Sequence, residues 1–276
     1  MTMKKGFFLF LIAFYLFNQA IAQTPFDEAT FLQQVKTSYY TLENTQLQNF
    51  IASVSSAKFD VFTKQNWDTI GMAPIKIIWQ RPDKIYISEL KFPFKMNPGQ
   101  KKTYREIVDA MKLQLKGILL DLQRFYLNGL LDENLMSKYV LRHNEQQVQM
   151  TFTGIDNQGT TVKYLLGLNG LCLMIDIEYP LQNKAMVLYP FFNTVEGKWL
   201  CKGWTVQTAV AGQVVSGFKL TVNYKKYLGY WLPESFYIEV QKKDKKDRIF
   251  YDELKLFDYM LDQTITITGA KKEGQK

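Results

Sequence analysis

The sequence predicts an α+β fold: one large antiparallel sheet that curves around, or packs on, a small number of helices. Three observations carry this expectation. From Gln146 onward the chain alternates apolar and polar residues at the period of a strand. Before that, Ile107, Met111, Leu115, Ile118, Leu119, Leu122, Tyr126 and Leu130 step by three or four, as one face of a long helix does. No repeat and no linker divides the chain, so its 276 residues read as one domain after an N-terminal leader. Hydrophobic residues at 47% and charged residues at 22% exclude a disordered chain. Two cysteines and one histidine exclude a multi-disulfide scaffold and most zinc sites.

The leader is residues 1–22. Lys4 and Lys5 precede an apolar run from Gly6 to Phe17, and small residues stand at Ala20 and Ala22. That order is a secretory signal peptide, with cleavage expected after Ala22. The alternative is a membrane anchor, for which the run of 12 residues is short against the roughly 20 that a helical span needs. Position 23 is Gln rather than Cys, so no N-terminal lipid is expected, and the product is a soluble, exported protein. Export leaves open whether Cys172 and Cys201 pair or remain two buried thiols.

Phe26 to Leu42 reads as a helix, with Phe31, Leu32, Val35, Tyr39 and Leu42 on one face and Asp27 and Glu28 in its first turn. Ala57, Phe59 and Val61 alternate with Lys58, Asp60 and Phe62, which predicts a strand. Gly71 to Pro74 breaks the chain. Ile75–Trp79 and Ile85–Leu90 then form two strands parted by Arg81-Pro82-Asp83-Lys84, where Pro82 belongs to a bulge, edge or turn. Asn97-Pro98-Gly99 is a loop before the long helix, and Glu133 to Tyr139 adds a short turn or helix. In the sheet region, strands centre on Val148–Phe152, Val162–Leu168, Leu171–Ile177, Val214–Tyr224 and Phe236–Val240. Asp156 to Gly159, Asn169-Gly170 and Lys242 to Asp247 supply turns.

Chemistry is sparse. The sole histidine, His143, lies between Arg142 and Asn144 with no orienting carboxylate or nucleophile in view, and reads as a solvated loop residue. No nucleophile elbow, phosphate loop or dinucleotide fingerprint occurs. Asp176 and Glu178 are strand neighbours on a polar face, and Asp252, Asp258 and Asp262 lack the dense spacing of a calcium loop. These features point away from an enzyme and from metals or cofactors. The formal charge of +8 is scattered. Acids interrupt Lys242 to Arg248, and Lys271, Lys272 and Lys276 form a tail, which argues against nucleic acid and allows weak attraction to anionic lipid. What remains is apolar capacity, which fits either a tight core or a greasy cavity.

The order of elements, with Trp79-Gln80-Arg81-Pro82-Asp83-Lys84-Ile85-Tyr86 after the first strands, resembles the periplasmic outer-membrane lipoprotein carrier (LolA-like) superfamily. Tyr230-Trp231-Leu232-Pro233 and Leu256-Phe257-Asp258-Tyr259 resemble its lipoprotein-sorting relatives. The resemblance implies an open half-barrel with helices over its concave face. It implies a periplasmic carrier of lipid or lipoprotein acyl chains, with envelope membrane proteins as further partners. The alternative is a non-transporting envelope assembly or interaction protein on the same scaffold. By resemblance, Arg81 beside Pro82 controls the helical lid. The cavity would be lined by Trp79, Tyr86, Phe218, Leu220 and Phe236 and capped by Ile107, Met111, Leu115 and Ile118. The helical insertion at 101–141 is longer than the carrier's.

Overall fold

In the structure, a computed structural model describing residues 26–131, 139–153, 156, 158–242 and 249–264, helices and strands follow in this order. The first part holds α1 (Glu28–Ser38), β1 (Asn49–Ser56), α2 (Ala57–Trp67), β2 (Ile75–Gln80), β3 (Lys84–Glu89) and α3 (Pro98–Leu122), which runs into a π-helical turn (Gln123–Leu127). The second part is a meander of β4 (Tyr139–His143), β5 (Gln147–Thr153), β6 (Thr161–Gly167), β7 (Cys172–Tyr179), β8 (Lys184–Val195), β9 (Lys198–Val210), β10 (Gln213–Tyr227), β11 (Tyr230–Lys242) and β12 (Ile249–Leu261). The expected leader at residues 1–22, the helix or turn expected over 133–138, the turn beyond Lys242 and the basic tail lie outside the described residues.

All strands belong to one 12-stranded antiparallel sheet, open at both edges, in the order β3-β2-β1-β12-β11-β10-β9-β8-β7-β6-β5-β4. Chain neighbours pair throughout the meander. The long-range closure is β1, which lies between β2 and β12, with Phe50 opposite Trp79 and Val54 opposite Leu256. The helices cover one face, hereafter the inner face.

Three local expectations are corrected. The segment from Ala57 is helical, not extended. Ser56 Oγ accepts from Phe59 N at 3.1 Å, Asp60 stands in the first turn, and Phe59, Phe62 and Thr63 are buried at helical spacing while Val61 faces solvent. Three alternating residues were too few to separate period 2 from period 3.6. The strand in this region is β1 instead. Its sequence, NFIASVSS, is buried at seven of eight positions, so it has no wet face and no alternation to read. In β7, Leu173 was expected beside Ile175 and Ile177. A bulge opposite Leu165 and Leu166 places Cys172 inward and turns Leu173 outward.

α1 ends at Ser38, earlier than expected, because Tyr39 is extended (φ −96°, ψ 142°) and bridges in parallel to Trp199 of β9. The Tyr39 hydroxyl donates to Gly170 O at 2.9 Å and accepts from Cys172 N at 2.6 Å, docking α1 on the β6–β7 turn. Gly203 in β9 has φ +143°, and a Cβ there would stand 2.0 Å from Leu220 O, so this crossing of β9 and β10 requires glycine. Cys172 and Cys201 are both free and buried, and burial pushes the Cys172 thiol up to about 12. His143 is the last residue of β4, and its ring stacks on Phe26 at 4.3 Å.

Candidate functional site

The candidate site is the inner face of the sheet with the helix that closes it. α3 begins with a reciprocal cap: Asn97 Oδ1 accepts from Gln100 N at 2.8 Å, and Gln100 Oε1 accepts from Asn97 N at 2.9 Å. Pro98 at the first helical position needs no donor there. Tyr104, Val108, Met111, Leu115, Ile118, Leu119 and Leu122 then form a buried stripe along the sheet. Of the expected cap residues, Met111, Leu115 and Ile118 are in this stripe and Ile107 is half-buried at its margin. The stripe is crossed once by polar groups. Gln114 Nε2 donates to Asp252 Oδ2 of β12 at 3.0 Å, and Lys58 Nζ of α2 stands 3.4 Å from the same oxygen.

The sheet supplies the floor. Trp79, Leu220 and Phe236 are fully buried, and Phe218 is partly buried against the core. Trp79 stacks on Phe50 at 5.7 Å, and its indole Nε1 is buried with no hydrogen-bond partner among the described residues. Tyr86, expected on this face, is on the other one. Trp79 pairs with Ile85, so Tyr86 pairs with Ile78 and points outward, 36% exposed. A one-residue offset across the β2–β3 turn reverses the face.

Arg81 follows β2, with a cis peptide bond to Pro82. Its Nε donates to Leu47 O at 2.6 Å and its Nη2 to Leu42 O at 2.8 Å and also to Thr45 O. The expectation was carbonyls or a carboxylate on a covering helix. The carbonyls are instead on the loop after α1, and that loop is bonded to the end of α3. Leu42 N donates to Tyr126 O at 2.8 Å and Glu43 N to Leu127 O at 2.9 Å, both within the π-helical turn that ends α3. Leu42 therefore links the two: its carbonyl accepts from Arg81 and its amide donates to the end of α3. Sequence reading missed this residue's role, because a backbone relay leaves no side-chain signal.

The π-helical turn seats Phe125, Tyr126 and Leu127, all buried. Phe125 packs on Trp204 at 5.6 Å, and the Tyr126 hydroxyl donates to Trp231 O at 2.6 Å. Beside it, Asp121 and Arg124 pair at 3.4 Å, with side chains 17% and 20% exposed. Burial pushes the Asp121 carboxyl up to about 6, against the opposing pull of the Arg124 guanidinium. A small polar cavity of about 150 Å³ opens next to this junction, lined by residues of α1, its loop and Asn128 to Leu131.

Asp176 and Glu178, considered as paired carboxylates, both meet Lys163 on the outer face at 3.8 and 2.6 Å. Asp262 Oδ1 accepts from Gln48 N at 2.8 Å, a structural tie between the ends of β12 and β1. Among the described residues, no group of His, Cys, Asp and Glu is placed to hold a metal, and no helix is long and apolar enough to cross a membrane. No family model matches this chain, no curated protein matches it, and no solved structure matches it.

Proposed function

We propose that this chain is an exported, non-catalytic periplasmic carrier, which binds lipid or lipoprotein acyl chains between the inner face of the sheet and α3. The observation that supports this reading is the lid. A sheet open at both edges has its apolar floor covered by helices, of which the longest, the amphipathic α3, is tied at its end by backbone hydrogen bonds that route through Arg81. Such bonds are individually worth about 0.5–1.5 kcal/mol, or 1.5–3 where a charge takes part, so cargo can reverse them. An acyl chain gains ~0.8 kcal/mol per buried CH₂, and a chain of a dozen or more carbons outweighs the cost of displacing the helix. The floor and the stripe in contact, with Trp79, Leu115, Leu220 and Phe236 fully buried, then correspond to the empty, closed state.

The same close packing favours the second reading, a non-transporting envelope assembly or interaction protein in which α3 is a permanent cover. Native mass spectrometry of the chain purified from its host, before and after organic extraction, separates the two. The carrier should show a stoichiometric lipid mass that extraction removes, and saturable binding of a fluorescent fatty acid that phospholipid or lipopeptide displaces. A lipid-free mass together with no saturable binding would sink the carrier reading.

A further inference from the structure

The corner where α2 ends and α3 begins combines two features that belong together at a lipid interface. The first is a cluster of half-exposed rings. Trp67, Phe92 and Phe94 lie within 5.1–5.6 Å of one another, with Trp67 and Phe94 stacked at an interplanar angle of 9°. Phe59 and Tyr104 back this cluster from the core, whereas its outer side is open. Ile70, on the loop leaving α2, is 69% exposed beside it in sequence.

The second feature is an excess of basic charge. From Lys91 to Arg105 the chain carries Lys91, Lys95, Lys101, Lys102 and Arg105 and no acid. All five are exposed, and none is ion-paired among the described residues. Lys91 and Lys95 bracket the two rings of the loop, Phe92 and Phe94. Of the acids nearby, Glu89 pairs with Lys112 at 2.5 Å, Asp68 is exposed at the end of α2, and Glu106 and Asp109 line the same stretch of surface as Lys101, Lys102 and Arg105, so the corner sets five cations against three further acids. The outer face of the sheet differs. There Lys163, Lys219 and Lys255 each stand beside a carboxylate.

We infer that this corner is a docking surface for anionic phospholipid bilayers. The rings sit at headgroup depth, where aromatic side chains are favoured, and the five cations meet the lipid phosphates. Charge complementarity selects the occupant: a rim in which cations outnumber acids around an apolar centre matches an anionic surface and gains little from a zwitterionic one. A neighbouring acidic protein would meet the same cations, but would leave the splayed rings without the deformable apolar medium they suit. Docking here puts the N-terminal end of α3 against the bilayer. It does not depend on acyl-chain binding in the sheet, so the two are tested separately.

The test is co-sedimentation of the full chain with sucrose-loaded vesicles of phosphatidylglycerol and phosphatidylcholine, against vesicles of phosphatidylcholine alone. Binding should favour the anionic vesicles and weaken with salt. A lysine near such a surface strengthens partition roughly fivefold, so Lys91→Gln/Lys95→Gln/Lys102→Gln should lose on the order of a hundredfold. These side chains are exposed, and the triple variant should keep the parent's thermal midpoint. Phe94→Ser should weaken binding with its salt dependence unchanged, and Lys219→Gln/Lys255→Gln on the outer face should bind like the parent. Equal binding to both vesicle types, or a triple variant as good as the parent, overturns the inference. So does capture of acidic peptides without any vesicle binding.

Discussion

The two ends of α3 are held by different physics. Its N-terminal end buries Tyr104 and Val108 and is otherwise fixed by exposed side chains: the Asn97–Gln100 cap, Gln100 Nε2 on Asn66 Oδ1 at 2.8 Å, and the Lys112–Glu89 pair. Its C-terminal end is fixed by buried rings and by main-chain bonds. Phe125, Tyr126 and Leu127 are sunk into the sheet, two amides of the α1–β1 loop reach the last carbonyls, and Arg81 holds that loop from below. Exposed caps and ion pairs are each worth about 1 kcal/mol or less, while a buried ring and a charged hydrogen bond are worth several times that. A helix fastened this way has a hinge and a free end. If α3 opens, it opens from Asn97, next to the basic aromatic corner, and turns about the π-helical segment.

The largest test of this asymmetry is pH at the hinge. The Asp121 carboxyl stands at about 6 in the folded chain against an ordinary value of 3.8, because burial disfavours its charge. The folded state therefore holds its proton more tightly than the unfolded state, and the contribution of this one group to stability is fully present below about pH 4. It should fall by on the order of 3 kcal/mol as pH rises through 4 to 6, then level off. Urea unfolding across this window should show the fall in the parent and its absence in Asp121→Asn. Parallel curves for the two proteins would mean that Asp121 is solvated and the hinge drier in appearance than in fact.

Arg81→Leu comes next. Three carbonyls lose their donor, and the relay through Leu42 slackens by about 2 kcal/mol. Amide exchange at Leu42 and Glu43 should accelerate roughly thirtyfold. Exchange at the start of α3 should stay as in the parent, and acyl-ligand release should quicken more than the thermal midpoint drops. Arg81→Lys, with a single point of donation instead of a fork, should recover only part of the protection. Uniform acceleration along α3, or a global loss of fold, would make Arg81 a structural residue and not a lid control. The smallest effect belongs to the free end. Asn97→Ala should cost about 1 kcal/mol, read as faster exchange in the first turn of α3 with the hinge amides unmoved. If the hinge amides respond equally, the helix moves as one body and the comparison fails.

The long helix and most of the meander were legible because each has a wet and a dry side. α3 alternates at 3.6 residues between the sheet and solvent, and β5 and β6 alternate at 2. Legibility failed where that contrast is missing or broken. β1 is covered on both faces and shows no period, the bulge at Leu173 shifts the phase of β7 mid-strand, and Phe59 and Phe62 sit in a helix that three alternating residues disguised. In the candidate site, the burial of Trp79, Met111, Leu115, Leu220 and Phe236 followed from pattern, whereas Tyr86 was placed on the wrong face because its strand is set by pairing with Trp79 and Ile78 across the turn.

By itself, then, the sequence determined the fold class, the apolar face of each regular element and the presence of an arginine beside a proline at the end of a strand. Only the tertiary structure decided that β1 joins the two ends of the chain into one sheet, that Arg81 grips a loop and not a helix, and that Leu42 passes its hold to α3. The reason is physical. Periodicity records how one element meets water, and each residue carries that record locally. Register, closure and backbone relays are set by hydrogen bonds between peptide groups, which every residue shares and which no side chain announces.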